Sequence, residues 1–200
     1  MVRKNYSAGM VKLSFWFLEF KKMVTLVNSG MEFDEIKKLN LESNIFAAPT
    51  QARAIQMYNT ISMRLKALDR SFYNLFDQLD VSNQKLLVLI SIMASDTLFF
   101  DFMYEVFREK LIIGMNEIAD RDVNVFFKDK QSQNDRVAKW TDYTLKRLGD
   151  CYKTLLMEAG VLNKTTGQRE IIRPLIDRSL ESNLKKQNMD LYISIFQGIR

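Results

Sequence analysis

The spacing of apolar residues along the chain predicts a mostly helical fold. Apolar positions recur every three to four residues in 14–28, which is closed by Gly30, and again in 32–42 and 50–68. This period places the apolar side chains on one face of an α-helix. A break over residues 43–49 separates the second segment from the third, and Thr50 is suited to cap the third helix.

The middle of the chain predicts the most deeply buried helices. In the helix over 50–68, the side chains expected to point inward are Ile55, Tyr58, Ile61, Leu65 and Leu68. A short helix is expected over 70–79. Ser82 is expected to cap an apolar helix over 83–94, and Asp96 to open the next helix. That next helix carries aromatic residues around nearly its whole circumference, which is typical of a central core helix.

From Asp120 onward the pattern changes. Short helices are predicted over 120–130 and 135–139, after which Thr141 would cap a long helix that Gly160 ends. The following segment, VLNKTTGQREIIRP, predicts a two-stranded hairpin. Short helix, turn, long helix and basic hairpin are the outline of a winged helix-turn-helix.

These patterns predict an all-α (mostly helical) fold with helix-turn-helix elements and a small C-terminal two-stranded wing. We expect an N-terminal helical domain over residues 1–115 and a winged-helix-like domain over 116–200. The boundary rests on the stretch from Met115 to Asp120.

The residues that catalysis most often needs are absent. The chain contains no histidine and a single cysteine, Cys151. Histidine is a common zinc ligand and general base, and without it a cysteine lacks its usual activating partner. No GxGxxG, GxxxxGK[ST] or GxSxG motif occurs. We therefore expect a protein that is not an enzyme, with no metal and no cofactor, in which Cys151 is structural.

The apolar segments do not predict export or a membrane span. Lys12 and Glu19 interrupt the apolar stretch near the N-terminus, and no small-residue cleavage site follows. The longest apolar run, 86–94, is nine residues long, against the roughly 20 that cross a bilayer. We expect a cytoplasmic protein that does not contact a membrane.

Charge is unevenly distributed along the chain. The formal net charge is +5. Residues 1–30 carry five basic and one acidic side chain, 31–135 carry twelve and sixteen, and 136–200 carry twelve and seven. Two basic ends therefore flank an acidic middle, and a polyanion would be met by the ends.

The long helix over 142–159 carries the clearest functional signal. At 100° per residue, Leu145, Leu148, Tyr152, Leu155 and Ala159 fall on one side and should pack inward. The opposite side would present the candidate DNA contacts Tyr143, Lys146, Arg147 and Lys153. Lysine and arginine suit phosphate contacts, and arginine also reads guanine edges.

Further candidates lie outside this helix. Lys139 precedes it, and Lys164, Arg169 and Arg173 would place charge on or beside the wing. The segments 32–42 and 50–68 could form a second helix-turn-helix. Its candidate contacts would be Arg53, Lys21 and Lys22.

Extended stretches of the chain resemble the BrxA proteins of bacterial BREX (bacteriophage exclusion) systems. The resemblance rests on NIFAAPTQARAIQMYNTISMRLKAL (44–68), LFFDFMYEVFREKLIIG (98–114), FFKDKQSQNDRVAKWTDYTLKRL (126–148) and YKTLLMEAGVL (152–162). It implies a small non-enzymatic component of a phage-defence system, an all-helical protein that binds DNA through helix-turn-helix or winged-helix elements. Other proteins of the system would supply the methyltransferase and ATPase activities.

Two functions remain open at this point. The favoured one is binding of double-stranded DNA within a BREX system. The alternative is an adaptor that binds other BREX proteins through its acidic middle and aromatic surfaces without touching DNA. RNA binding by a basic helical bundle is a third, less favoured possibility. The absence of a leucine zipper or a clear dimerisation helix favours a monomer.

Overall fold

The computed structural model describes residues 5–165 and 168–199, without the side chains of 164, 165 and 168. Its helices are α1 (Phe17–Asn28), α2 (Phe33–Ser43), α3 (Gln51–Lys66), α4 (Ser71–Phe76), α5 (Val81–Ser95), α6 (Thr97–Phe102), α7 (Arg108–Ile112), α8 (Asp120–Gln133), α9 (Asp135–Ala138), α10 (Asp142–Glu158), α11 (Arg178–Lys186) and α12 (Asp190–Gln197). A 3-10 turn, Gly9–Lys12, precedes α1. The strands β1 (Leu162–Thr165) and β2 (Gln168–Ile171) form an antiparallel hairpin. The prediction of a mostly helical fold with a small C-terminal hairpin is confirmed.

The first helices begin where local capping groups favour them. The Thr50 hydroxyl accepts the Arg53 amide hydrogen at 3.2 Å, as predicted. At α2, Glu35 accepts from the Glu32 backbone amide at 2.8 Å, which forms half of a capping box. The expected start of α5 is wrong, because Asp80 and not Ser82 caps it by accepting from the Asn83 amide at 2.8 Å.

The centre of the fold is built from α5 and the helix that follows it. Most side chains of α5 are buried, including the whole run from Leu86 to Met93. Asp96 caps α6, as predicted, and accepts from the Phe99 amide at 2.9 Å. A π-helical turn, Met103–Phe107, joins α6 to α7 without a break. Apolar residues from the N-terminal and C-terminal parts of the chain belong to one buried cluster.

The packing of α3 follows its predicted face with one exception. Tyr58, Ile61 and Leu65 are buried, and so is Leu68, which lies beyond the end of α3 at Lys66. Ile55 is 38% exposed, so its prediction as an inward residue is wrong. The helix contacts α1, α2 and α5, and Ile55 lies outside the faces that these neighbours cover.

The hairpin is tied to the segment that connects α7 and α8. The Ile118 amide donates to the Arg169 carbonyl at 3.1 Å, and the Ile171 amide donates to the Asn116 carbonyl at 2.7 Å. Glu117 and Glu170 form a β-bridge. The connecting segment therefore pairs with the edge of β2 and holds the hairpin beside the start of α8.

No single helix in the described residues is long and apolar enough to cross a membrane. The helix α5 and the continuous helix Thr97–Ile112 reach the necessary length and apolar composition only together, and the two are bent by 114° relative to each other.

Candidate nucleic-acid interface

The candidate interface is built on α10, which is held firmly on one side. The Thr141 hydroxyl accepts the Thr144 amide hydrogen at 3.2 Å and caps the helix, as predicted. Gly160, with φ +78°, ends it in the left-handed conformation that glycine adopts readily. The residues predicted to pack inward are all buried: Leu145, Leu148, Tyr152, Leu155 and Ala159.

The opposite side of α10 presents three of the predicted contacts to solvent. Tyr143 is 72% exposed, and Lys146 and Arg147 are exposed as well. Lys139 is exposed in the turn before the helix. Arg136 on α9 is also exposed and lies about one helical turn before Lys139. Arg136 was not among the predicted contacts, because the projection of the helix over 142–159 does not include α9.

Three exposed carboxylates border this basic group, and the first, Asp135 on α9, lies four residues before Lys139. Asp142 lies at the start of α10, four residues before Lys146, and Asp150 lies four residues after it. Positions four apart share one helix face. The positive surface is therefore confined to the leading half of the helix.

The expectation that Lys153 faces solvent is wrong. Its side chain is 9% exposed, and its ammonium lies 2.7 Å from Asp120 and 2.9 Å from Asp150. Arg169 on β2 also contacts Asp120, at 2.9 Å. Asp120, the first residue of α8, thus joins α10 and the hairpin to the start of α8. Both cations therefore form ion pairs with residues of the protein itself.

The pKa of Asp120 is lowered from its ordinary value, chiefly by the hydrogen bond from Lys153 and also by the charge of Arg169. A carboxyl group whose pKa is lower in the folded state stabilises the fold at pH values above its unfolded-state pKa of about 3.9. This stabilisation is lost as the pH falls through the folded-state pKa. We expect Asp120→Asn to lower stability at neutral pH and to flatten the stability loss between about pH 5 and the acid limit. Urea midpoints measured across this range would check it. Identical acid slopes for the variant and the parent protein would contradict it.

The space between α8 and α10 is a groove of mixed charge. Gly149 permits the close approach of the two helices, because a Cβ atom there would lie 2.6 Å from a methyl carbon of Val123. The groove has a volume of about 410 Å³. Its charged lining residues are Lys128, Lys146, Lys153, Asp120, Asp142 and Asp150. Equal numbers of cations and carboxylates make it a poor site for a free anion.

The wing residues lie at different depths. Arg173 follows β2 and is exposed. Lys164 belongs to β1, but its side chain lies outside the described part of the structure. Among the wing cations whose side chains the structure describes, Arg173 is exposed and Arg169 is ion-paired.

The N-terminal candidates are not gathered into a comparable surface. Lys21 is exposed on α1, whereas the neighbouring Lys22 donates to the Ile45 carbonyl at 2.7 Å. Arg53 donates to Gln56 at 2.7 Å, and its guanidinium carbon lies 4.8 Å from the centre of the Trp16 ring. A cation over an aromatic ring is held by the ring's negative face. Arg53 is thereby oriented towards the protein.

Cys151 lies on the flank of α10 and contacts the N-terminal segment. Its thiol donates to the Met10 carbonyl at 3.1 Å. Burial raises the pKa of this thiol to about 11. A thiol that stays protonated at neutral pH is a poor nucleophile, which supports the structural role predicted for it.

Comparison with known proteins identifies the family. Residues 4–188 match the family described as BrxA. The BREX protein BrxA of Bacillus cereus (strain H3081.97) is 38% identical over 199 residues, which cover 99% of this chain and 100% of that protein. The crystal structure of an uncharacterized protein from Magnetospirillum magneticum is similar with a TM-score of 0.80, at 18% identity over 98% of this chain and 100% of that one. The latter match supports the fold alone. The sequence-based resemblance is confirmed, and the chain belongs to the BrxA family.

Proposed function

We propose that the protein is a non-catalytic component of a bacterial BREX phage-defence system and that it binds double-stranded DNA. The first part is supported by membership of the BrxA family and by the name of the Bacillus cereus relative. The second part is carried by one observation. Tyr143, Lys146 and Arg147 lie exposed on the leading half of a capped helix whose other side is buried.

A helix held in this way is suited to enter the major groove. In helix-turn-helix proteins the N-terminal residues of the second helix contact base edges. In this proposal α9 and α10 would be the helix pair, and the hairpin, whose strand β1 contacts α10, would be the wing. Lys139 and Arg173 would then contact the flanking phosphates. Lys153 and Arg169 are left out of the interface, since Lys153 is paired with Asp120 and Asp150 and Arg169 with Asp120.

Phosphate contacts by the exposed cations would depend little on DNA sequence. Asp142 and Asp150 restrict the phosphate contacts to a few side chains, because a carboxylate repels the backbone. With about four phosphate contacts, the logarithm of the binding constant would fall with the logarithm of the salt concentration with a slope of about −4.

The test is fluorescence anisotropy of the full-length protein with a labelled duplex, titrated at several salt concentrations. We expect Lys146→Glu with Arg147→Glu to weaken binding about tenfold or more and to flatten the salt dependence. Lys185→Glu with Lys186→Glu is the matched control. It reverses two exposed charges on α11, which lies against α4 and α12, and should leave the affinity within about twofold.

Other outcomes would relocate or remove the interface. Equal losses in both double variants would mean that net charge and not α10 governs binding. A loss confined to Lys21→Glu with Lys22→Glu would move the contact to the N-terminal helices. No binding at low salt would contradict the DNA-binding proposal and would favour the adaptor function.

A further inference from the structure

A second groove lies between α7 and α8, on the other flank of α8 from α10. The α8 residues that line it are Asp122, Val125, Phe126 and Asp129. These positions follow the spacing of one helix face. Neighbouring residues on the opposite flank, Asn124 and Lys128, line the groove shared with α10. A partner in the second groove would therefore leave the face of α10 free.

The groove exposes aliphatic surface above a buried apolar floor. Val106 and Phe126 form the floor and are 8% and 3% exposed. Ile113 and Val125 border it and are 62% and 48% exposed. The groove volume is about 200 Å³, below the roughly 300–1,000 Å³ of small-molecule sites. This size suits an anchoring side chain of another polypeptide.

The charged residues around this apolar surface are mainly acidic. Four carboxylates line the groove, those of Glu105, Glu109, Asp122 and Asp129, together with one lysine, Lys110. Three of these four carboxylates already have a cation beside them. Lys110 lies 2.8 Å from Asp122, Arg108 lies 2.6 Å from Glu109, and Lys130 lies 2.6 Å from Glu105. Among residues 5–165 and 168–199, no cation is paired with Asp129.

The π-helical turn shapes one wall of the groove. A π turn contains one residue more than an α turn, so it shifts the face of the helix that follows. Glu105 and Val106 lie within this turn, and Glu109 follows it. Glu105 keeps 43% of its side chain exposed while it contacts the buried Lys130. Isolated π turns occur frequently at functional sites.

We propose that this groove is a docking site for a basic amphipathic helix of a partner protein. Its aliphatic or aromatic anchor would cover Ile113 and Val125. Its lysine or arginine side chains would lie near Asp129 and the half-exposed Glu105 and Glu109. Charge complementarity determines this choice, since an acidic or neutral helix would bring no cation to Asp129. The protein would thus present DNA and protein surfaces on opposite flanks of α8.

The test uses the full-length protein and a fluorescein-labelled helical peptide of about 18 residues, with leucine on one face and lysine on the other. A second peptide has glutamate in place of lysine. We expect salt-sensitive binding of the lysine peptide only. Val125→Gln should weaken it about tenfold by removing apolar contact, and Asp129→Lys should weaken it severalfold by charge repulsion.

Matched controls separate the groove from general surface effects. Ile55→Gln removes an aliphatic side chain of similar exposure from α3, and Asp77→Lys reverses an exposed charge after α4. Both should leave peptide binding unchanged, and the groove variants should leave DNA binding unchanged. Equal binding of the two peptides, or equal effects of groove and control variants, would overturn the proposal. Self-association that sedimentation detects and Val125→Gln abolishes would instead assign the groove to a second copy of the chain, and would also overturn it.

Discussion

Replacing Lys130 by alanine is expected to lower the free energy of unfolding by about 3–5 kcal/mol. Lys130 is 4% exposed, although it carries a charge. Its ammonium lies 2.6 Å from Glu105 and 3.8 Å from Asp101, and 5.3 Å from the centre of the Phe126 ring. Asp101 is itself buried. Removal of the ammonium takes a nearby cation away from the buried Asp101 carboxylate, which also accepts from the Tyr6 hydroxyl, and burial strongly penalises its charge. The half-exposed Glu105 would instead be hydrated.

Urea unfolding of the parent protein and of two variants would measure this effect. Lys128→Ala on the same helix is the control, because Lys128 is exposed and its loss should stay within about 0.5 kcal/mol. If Lys130→Ala were as mild as Lys128→Ala, the ion pairs of Lys130 would contribute little to linking α8 with α6 and the π turn.

Replacing Tyr152 by alanine is also expected to lower the free energy of unfolding by about 3–5 kcal/mol. Tyr152 on α10 is fully buried, and its ring centre lies 4.9 Å from that of Phe99, 5.2 Å from that of Phe102 and 5.8 Å from that of Phe127. The first two neighbours belong to α6 and the third to α8. Alanine would leave a cavity where three helices meet, and the rings around it cannot all move in to fill it.

Tyr152→Phe is expected to behave in the opposite way. Among the described residues, the Tyr152 hydroxyl has no hydrogen-bond partner. An unsatisfied buried hydroxyl is costly, so phenylalanine should preserve stability or raise it by up to about 1 kcal/mol. Thermal and urea unfolding of both variants would check the pair. A large loss in Tyr152→Phe would show that the hydroxyl is hydrogen-bonded in solution.

Helical periodicity was sufficient to predict the inner face of α10. Leu145, Leu148 and Tyr152 recur at a spacing that places them on one stripe, and the core contacts that stripe. The Thr141 cap and the end of the helix at Gly160 were also predictable, because both depend on the chemistry of the residues at the helix ends.

The error at Lys153 shows where this reasoning ends. A projection along one helix does not indicate how wide an arc its neighbours cover. Lys153 follows Tyr152 in sequence, and its ammonium is paired with Asp120, a residue 33 positions earlier. Arg169 is 49 positions from the same carboxylate. Contacts at such separations depend on the packing of whole elements.

The helix start at Asp80 and the groove beside α7 were not predicted, and the reason differs between them. Asp80 and Ser82 are both good capping residues, and sequence alone does not choose between them. The groove depends on the π turn, which no periodic pattern signals, and on the approach of α7 to α8. No helix was predicted over α11 and α12, although Leu180 and Leu184 of α11 show helical spacing and are buried.

The pairing of the hairpin with residues 116–118 has a consequence for the entropy of binding. Because the Ile118 and Ile171 amides bond across to the other segment, the hairpin and the chain that leads to α8 can separate only by breaking these hydrogen bonds. A ligand that restrains the hairpin would also restrain this chain, and the ordering cost would be shared by both segments. An arriving second ligand near α8 would then meet a segment that is already ordered and would lose less conformational freedom.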